Sequence, residues 1–401
     1  MLGRYQQLFQ AQGSLKFALA GLIARLSLPM MGIGIITMLS LLEGSYTLAG
    51  GVSATFVLTY ALLSPQISRW VDNFGQFRIL PLVSIISLVG MGLMVVATWL
   101  QLAYFWLFIG AFLAGFMPSM SAMIRARWSQ IYKDNPLLQT AYSLETVFDD
   151  VTFIAGPPLS VGLTVALFPQ AGLIIAGGLL VFGVLLLVSQ RSTEPVLVSD
   201  PQQNQVRQSI LRLPSLQLLI VLMISLGVIV GTVDILSVTL AQLQGQPAMA
   251  SLVLSLYAIG SCVMGLVFGG LNFSMPLPRL LLLSGILTLL SVIPLLWVEQ
   301  IEMLAIVMFI SGLFFSPTMI IGMSLVENIV PQHRLTEGMT WLLAGLNMGV
   351  AFGAILSGKI VDTLGIDAGY WVAIGGGGLV VICSVLSYWQ LSHRETQVCT
   401  S

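Results

Sequence analysis

Long apolar runs separated by brief polar punctuation dominate this chain. Residues 79–124, 151–190 and 235–278 carry no charged side chain. About 20 apolar residues suffice for one helix to cross a hydrocarbon core about 30 Å thick. Cutting the runs at their polar, Pro and Gly breaks predicts twelve spans. They lie near 15–42, 47–70, 79–99, 103–127, 138–168, 171–190, 214–241, 248–271, 280–298, 302–327, 336–362 and 369–391. Most connections are very short, so successive helices should be antiparallel neighbours. The one long polar connection, Arg191–Leu213, reads as a cytoplasmic linker between a bundle over 1–190 and a bundle over 214–401.

Composition supports that pattern. Hydrophobic residues make up 57% of the chain and charged residues 8%, against roughly 25% charged in an average soluble domain. A β-barrel would show short alternating segments instead. The net charge of −1 conceals an asymmetry. Arg4, Lys16, Arg69, Arg78, Arg125, Arg127, Lys133, Arg191, Arg207, Arg212, Arg279, Arg334 and Arg394 fall on one side of the predicted spans. Glu43, Glu299, Glu302, Asp362 and Asp367 fall on the other, with Lys359. The positive-inside rule then places both termini and the linker in the cytoplasm, in an inner or plasma membrane. No cleavable signal peptide is expected, because the first apolar segment holds Arg25. His333 and His393 lie outside the apolar runs, and the three cysteines lack metal-ligand spacing. No P-loop G-x-x-x-x-G-K-[ST] is present. Haem, metal and ATP-driven chemistry have no support in these residues, and neither an enzyme nor a nucleic-acid partner is expected.

The two halves also resemble each other. Tyr60-Ala61-Leu62-Leu63-Ser64 recurs as Tyr257-Ala258-Ile259-Gly260-Ser261, offset by 197 residues, and Pro118-Ser119-Met120 recurs as Pro317-Thr318-Met319, offset by 199. The predicted fold class is therefore all-α integral membrane, with twelve transmembrane helices in two pseudo-symmetric six-helix bundles. Repeated halves around a midplane site are common among secondary transporters.

The loop after the second span, Arg69-Trp70-Val71-Asp72-Asn73-Phe74-Gly75-Gln76-Phe77-Arg78, resembles the D-R-x-G-R-R signature of the major facilitator superfamily. Asp72, Gly75 and Arg78 fit, whereas Asn73 and Gln76 stand where arginines are usual. The resemblance implies six-plus-six topology, alternating access, and a latch in which Asp72 meets the start of span 11; a helix N-terminus attracts an anion by roughly 0.3–1 kcal/mol. The alternative reading of the loop is a basic topology anchor. Gly156-Pro157-Pro158-Leu159-Ser160-Val161-Gly162 resembles the G-P-x-x-G-G motif of proton-linked exporters, with departures at Thr152 and Val161. It is either a hinge or seal in the conformational switch, or a packing kink.

Within the fifth span stand Glu145, Asp149 and Asp150. A carboxylate in hydrocarbon costs several kcal/mol unless paired or protonated, so these acids are functional candidates by default. Asp149 lies about 16 Å along its helix and Arg25 about 12 Å along the first span. Spans 1 and 5 are neighbours in the family, which implies that Arg25 pairs with one of the acids. Three acids sharing one base titrate as a coupled group, giving a proton carrier. A permanent ion-pair cluster is the competing reading. Arg125 and Arg127 read as snorkelling anchors, the alternative being a contact to Glu145. Asp234, deep in the seventh span, is a candidate for a proton or a cationic substrate. Gly227, Gly231, Gly345, Gly349 and Gly353 read as helix packing.

The resemblance further implies a cavity lined by spans 1, 4, 7 and 10, which bring Met30, Met31, Met117, Met120, Phe314 and Phe315, together with the Pro118 and Pro317 bends. Trp341 and Asn347 add polarity from span 11. Met and Phe form an adaptable apolar surface suited to varied ligands. The expected activity is proton-coupled efflux of small amphipathic or cationic compounds by a monomer. The proton gradient supplies the energy and no cofactor takes part. The alternative is a proton-coupled symporter importing a small metabolite.

Overall fold

A chain this apolar must satisfy its backbone within helices wherever lipid surrounds it. The computed structural model describes residues 2–43, 46–196, 210–246, 249–271 and 275–398. Residues 197–209 of the expected linker and residues 272–274, between the eighth and ninth predicted spans, lie outside the described residues. Among the described residues every regular element is helical and no strand forms. The helices are α1 (Leu2–Leu8), α2 (Ser14–Arg25), α3 (Ser27–Glu43), α4 (Tyr46–Phe74), α5 (Gln76–Trp99), α6 (Phe105–Ala114), α7 (Met120–Ile131), α8 (Leu137–Ala166), α9 (Ala171–Val188), α10 (Pro214–Leu243), α11 (Met249–Gly270), α12 (Leu277–Val292), α13 (Ile301–Ile329), α14 (Leu335–Leu364) and α15 (Ile366–Val398).

Ten helical segments among the described residues are long and apolar enough to cross a membrane, counting α2 and α3 as one. Two predicted spans look different. Residues 103–127 form α6 and α7 with a non-helical break over 115–119. Pro118 lacks an N–H and disfavours the α conformation at Met117, so the first helix stops. Residues 138–168 do form one helix, α8, but its three carboxylates keep it out of the ten. The first span is also interrupted, at Leu26, three residues before Pro29.

Packing divides the chain into two units. The smaller contains Tyr5–Asn135 and Val151–Val198. There α5 meets α6 through Gly90 and Gly110, α2 meets α9 through Gly183, and Gly115 lies on Thr59 and Tyr60 of α4; a Cβ on any of these glycines would overlap the facing helix. Helix α1, which the hydropathy pattern does not announce, is tied down when the Tyr132 hydroxyl donates to the carbonyls of Leu8 (2.9 Å) and Gln7 (3.2 Å).

The larger unit contains Met1–Arg4, Pro136–Asp150 and Ser199–Ser401. Here α10 presses on α14 through Gly227, Gly231, Gly349 and Gly353, as the packing reading expects, and α11 presses on α13 through Gly260 and Gly312. Lipid offers helices no hydrophobic drive to associate, so close backbone approach through small residues supplies the attraction. Helix α8 is one continuous rod whose first half groups with α10–α15.

Candidate functional site

The first half of α8 lies along α11. Thr140 donates to the Gly269 carbonyl (2.6 Å), and Val147 fills the space at Gly265, where a Cβ would come within 3.0 Å. One turn further on, Asp150 meets the same helix. Its Oδ2 accepts a hydrogen bond from the Ser261 hydroxyl at 2.6 Å, with Cys262 Sγ at 3.7 Å from the same oxygen. The Ser261 hydroxyl is in turn 2.8 Å from that of Ser316 on α13, and either can donate. Both serines are fully buried, whereas Asp150 is half-buried. Three helices thus share a short hydroxyl chain ending on a carboxylate.

Tyr257 lies four residues before Ser261 on α11 and therefore on the same face. Its ring centroid is 5.8 Å from that of Phe315, inclined by 57°. Asp234 is half-buried on α10. The larger unit therefore gathers Asp150, Tyr257, Ser261, Phe315 and Ser316 from three helices.

The other candidates fall elsewhere. Glu145 is fully buried, four residues before Asp149, and neither is without a partner. Arg25 closes α2, 5% exposed and likewise partnered. Met30, Met31, Met117 and Met120 are all buried. The Met30 carbonyl accepts from Ser160 (2.9 Å), and the Met117 sulfur from Ser27 (3.5 Å). Phe314, Trp341 and Asn347 are partly exposed. A Cβ on Gly156 would press on Pro29 at 2.7 Å, and α8 continues unbroken through Pro157 and Pro158. In this structure that motif packs α8 against α3.

In the loop after α4, Gly75 adopts φ +89°, a left-handed value that L side chains rarely accept, and begins α5. Asp72 is partly buried and partnered, and Arg78 is exposed. Gln76 explains its departure from the family signature. Its side chain is 1% exposed, accepts from Arg127 Nε (2.8 Å) and donates to the Met123 carbonyl (3.1 Å). An arginine there would set two guanidinium groups against each other.

Arg127 itself corrects the snorkelling reading. It is buried and donates also to Thr193 (2.6 Å) and to the carbonyls of Gln190 (3.1 Å) and Leu187 (3.2 Å). A guanidinium carries five donors, and the end of α9 with its following turn supplies the acceptors. Glu194 adds a bond from the Phe77 N–H (2.9 Å), and the Arg191 guanidinium stacks 3.5 Å over the Phe77 ring. Arg125 donates to Ser121 and is fully buried, so it is not a snorkelling side chain either.

Reading the sequence missed the partners of Asp150. The signal was present: Tyr257 and Ser261 are the first and last residues of the repeated pentapeptide, but their value there was as a repeat.

Comparison with known proteins adds the lineage of this arrangement. The family model described as Major Facilitator Superfamily matches residues 17–245 and 218–398. No curated protein sequence matches. Among solved structures, a bacterial homologue of the iron transporter ferroportin in an outward-facing state is similar with TM-score 0.71 at 16% identity, covering 93% of this chain and 98% of that one. The human organic anion transporter MFSD10 gives TM-score 0.66 at 14% identity, covering 93% and 97%. The E. coli fucose:proton symporter FucP gives 0.70 at 12%, covering 93% and 98%. At these identities the likeness is one of fold.

Proposed function

Since the chain belongs to the major facilitator superfamily, and is thereby a multi-pass membrane transporter rather than an enzyme, we propose that it couples proton movement to efflux of small amphipathic or cationic compounds. In this reading its helices make twelve spans in two six-helix bundles. Both termini are cytoplasmic, the membrane is the inner or plasma membrane, and the protein acts as a monomer. The proton gradient is the energy source.

The observation that carries the reading is the bond from Ser261 to Asp150. A hydroxyl can donate to a carboxylate and accept from a carboxylic acid. The contact therefore survives protonation, with its polarity kept or reversed, which suits a group that loads and unloads a proton in an apolar setting. In a six-plus-six transporter α8 and α11 are spans 5 and 8, from opposite halves. Alternation must remake that contact, so a proton that alters it biases the states. Each tenfold difference in proton affinity between them is worth about 1.4 kcal/mol. Asp149, Glu145 and Arg25 complete the proposed coupling group.

Substrate-triggered proton movement in proteoliposomes tests this, using a panel of amphipathic cations and neutral metabolites. Asp150→Asn is expected to bind ligand and lose proton movement; Asp149→Asn and Arg25→Ala show which neighbours share the task. A folded Asp150→Asn protein that couples normally would return the cluster to a structural role. The partly exposed Trp341 and Asn347 on α14 favour a second reading, proton-linked import of a polar metabolite. An inward proton gradient would then accumulate substrate rather than expel it.

A further inference from the structure

Arg78 and Arg191 are exposed cations held at one corner of the smaller unit. The Arg191 guanidinium lies 3.5 Å over the Phe77 ring, and Arg78 follows Phe77 on α5. Among the described residues neither arginine forms an ion pair. Two acids stand at this corner: Glu194, whose Oε1 already accepts from the Phe77 N–H (2.9 Å), and Asp72, partly buried and partnered. Against them are Arg78, Arg191 and buried Arg127, which bonds Thr193 in the same turn, so the corner is positive. A guanidinium stacked on a ring keeps its N–H edge for an oxyanion, and arginines grip phosphate well. The stack also holds Arg191 in place, so less freedom is lost on binding.

The two arginines crown an apolar wall. Helices α5 and α9 lie side by side, since a Cβ on Gly177 would meet Leu88 and Met91. Leu82 and Ile85 follow Arg78 at helical spacing, and Leu185 precedes Arg191 on α9; each is more than half exposed. We propose that Arg78 and Arg191 bind the phosphate of a phospholipid of net negative charge, whose acyl chains lie along Leu82, Ile85 and Leu185. Basic residues beside a lipid-facing surface attract such headgroups. The start of α12 makes a contrast within the same chain. Arg279 is exposed there, but Leu277 and Pro278 precede it, and among the described residues no ring stacks on it. The site needs no part of the proton-coupling reading; only its placement in the inner leaflet borrows the orientation proposed above.

The test is native mass spectrometry of the delipidated full chain, titrated with phosphatidylglycerol or with phosphatidylcholine of the same acyl chains. The first phosphatidylglycerol is expected to bind about twentyfold more tightly than phosphatidylcholine. Arg78→Gln and Arg191→Gln should each remove about fivefold of that preference, and the double variant nearly all of it. Phe77→Leu keeps every charge and should still lose about twofold, because the stack is gone. Arg279→Gln should change the preference by less than about twofold. Inorganic phosphate should leave the lipid bound, because it cannot use the apolar wall. Thermal unfolding identifies any variant that fails to fold; Arg191→Lys, the mildest, should then fall between wild type and Arg191→Gln. The site is overturned if the wild type takes both lipids alike, or if the double variant keeps the preference. It is equally overturned if Arg279→Gln loses as much as Arg191→Gln, or if phosphate displaces the lipid. The proton assay on Asp150→Asn is independent of every one of these outcomes.

Discussion

Pro118 and Pro317 occupy matching places in the two halves, yet one ends a helix and the other does not. Each is met by a hydroxyl from the preceding span: Ser87 donates to the Ala114 carbonyl (2.7 Å), and Thr288 to the Phe314 carbonyl (3.2 Å). Each half also lays a glycine on a tyrosine helix, Gly115 on Tyr60 and Gly312 on Tyr257. The difference lies one residue past the proline. Thr318 donates to Phe314 O (3.1 Å) and adjoins Thr288 (3.1 Å), so two hydroxyls brace the turn next to the Leu313 carbonyl that Pro317 leaves without its N–H. The Ser119 hydroxyl has no hydrogen-bond partner among the described residues. Ser87 caps the very carbonyl, Ala114, that Pro118 leaves free, yet there the chain breaks at 115–119; around Pro317 the threonine pair braces the neighbouring turn and the helix runs on.

The strongest way to break this comparison is at the glycines. A Cβ on Gly312 would strike the backbone of Tyr257 and Ser261, whereas one on Gly115 first meets the Thr59 side chain. Gly312→Ala is expected to cost about 3 kcal/mol and Gly115→Ala about 1 kcal/mol. Thermal unfolding of the purified protein checks the order, and equal losses would refute the distinction. Smaller effects come from the hydroxyls. Ser87→Ala and Thr288→Val should each cost about 1 kcal/mol or less. Combining Thr288→Val with Thr318→Val should cost more than the sum, because both serve Phe314 O. Strict additivity would show that the two threonines act independently.

The smallest effect concerns the junctions opposite the prolines. The Tyr104 hydroxyl donates to Glu43 (3.0 Å), joining the end of α3 to the start of α6. In the other half Gln244 does the same work with the Ile301 N–H (3.1 Å) and the Glu299 carbonyl (2.8 Å), using no ionisable group. The hydrogen bond to Glu43, and then the charge of that carboxylate, raise the Tyr104 pKa. A raised phenol pKa stabilises the fold fully below the ordinary tyrosine value of about 10, and that contribution fades as pH rises through the raised value. Unfolding curves should therefore show a slight alkaline loss in the wild type that Tyr104→Phe removes and Gln244→Ala leaves in place.

Apolar periodicity made the helices legible, and the two short repeats marked the residues at which the halves correspond. Pro118 marked a bend in the fourth span, but hydropathy, blind to a missing N–H, did not tell a bend from the full break at 115–119. The acids of α8 announced themselves by their cost in hydrocarbon. Their partners did not, since Ser261 and Ser316 lie more than a hundred residues away and are ordinary in composition. Arg127 was misread for a similar reason: whether a cation snorkels or is buried depends on acceptors such as Gln76 and Thr193, which only the packed chain brings to it. Gly156 was legible as a close-contact residue, while the surface it would touch, Pro29, was not.

The Ser316–Ser261–Asp150 chain also has a direction. While Asp150 is ionised its hydrogens point toward α8; an Asp150 that donates its proton to Ser261 turns them toward α13. The chain is thus an arrow with two settings, and Cys262 sits at its tip, with its thiol 3.7 Å from the oxygen that is charged in one setting. The infrared S–H stretch of that single thiol should shift with the setting, and Cys262→Ser would remove the band and identify it. A stretch indifferent to Asp150→Asn would mean that the arrow does not turn.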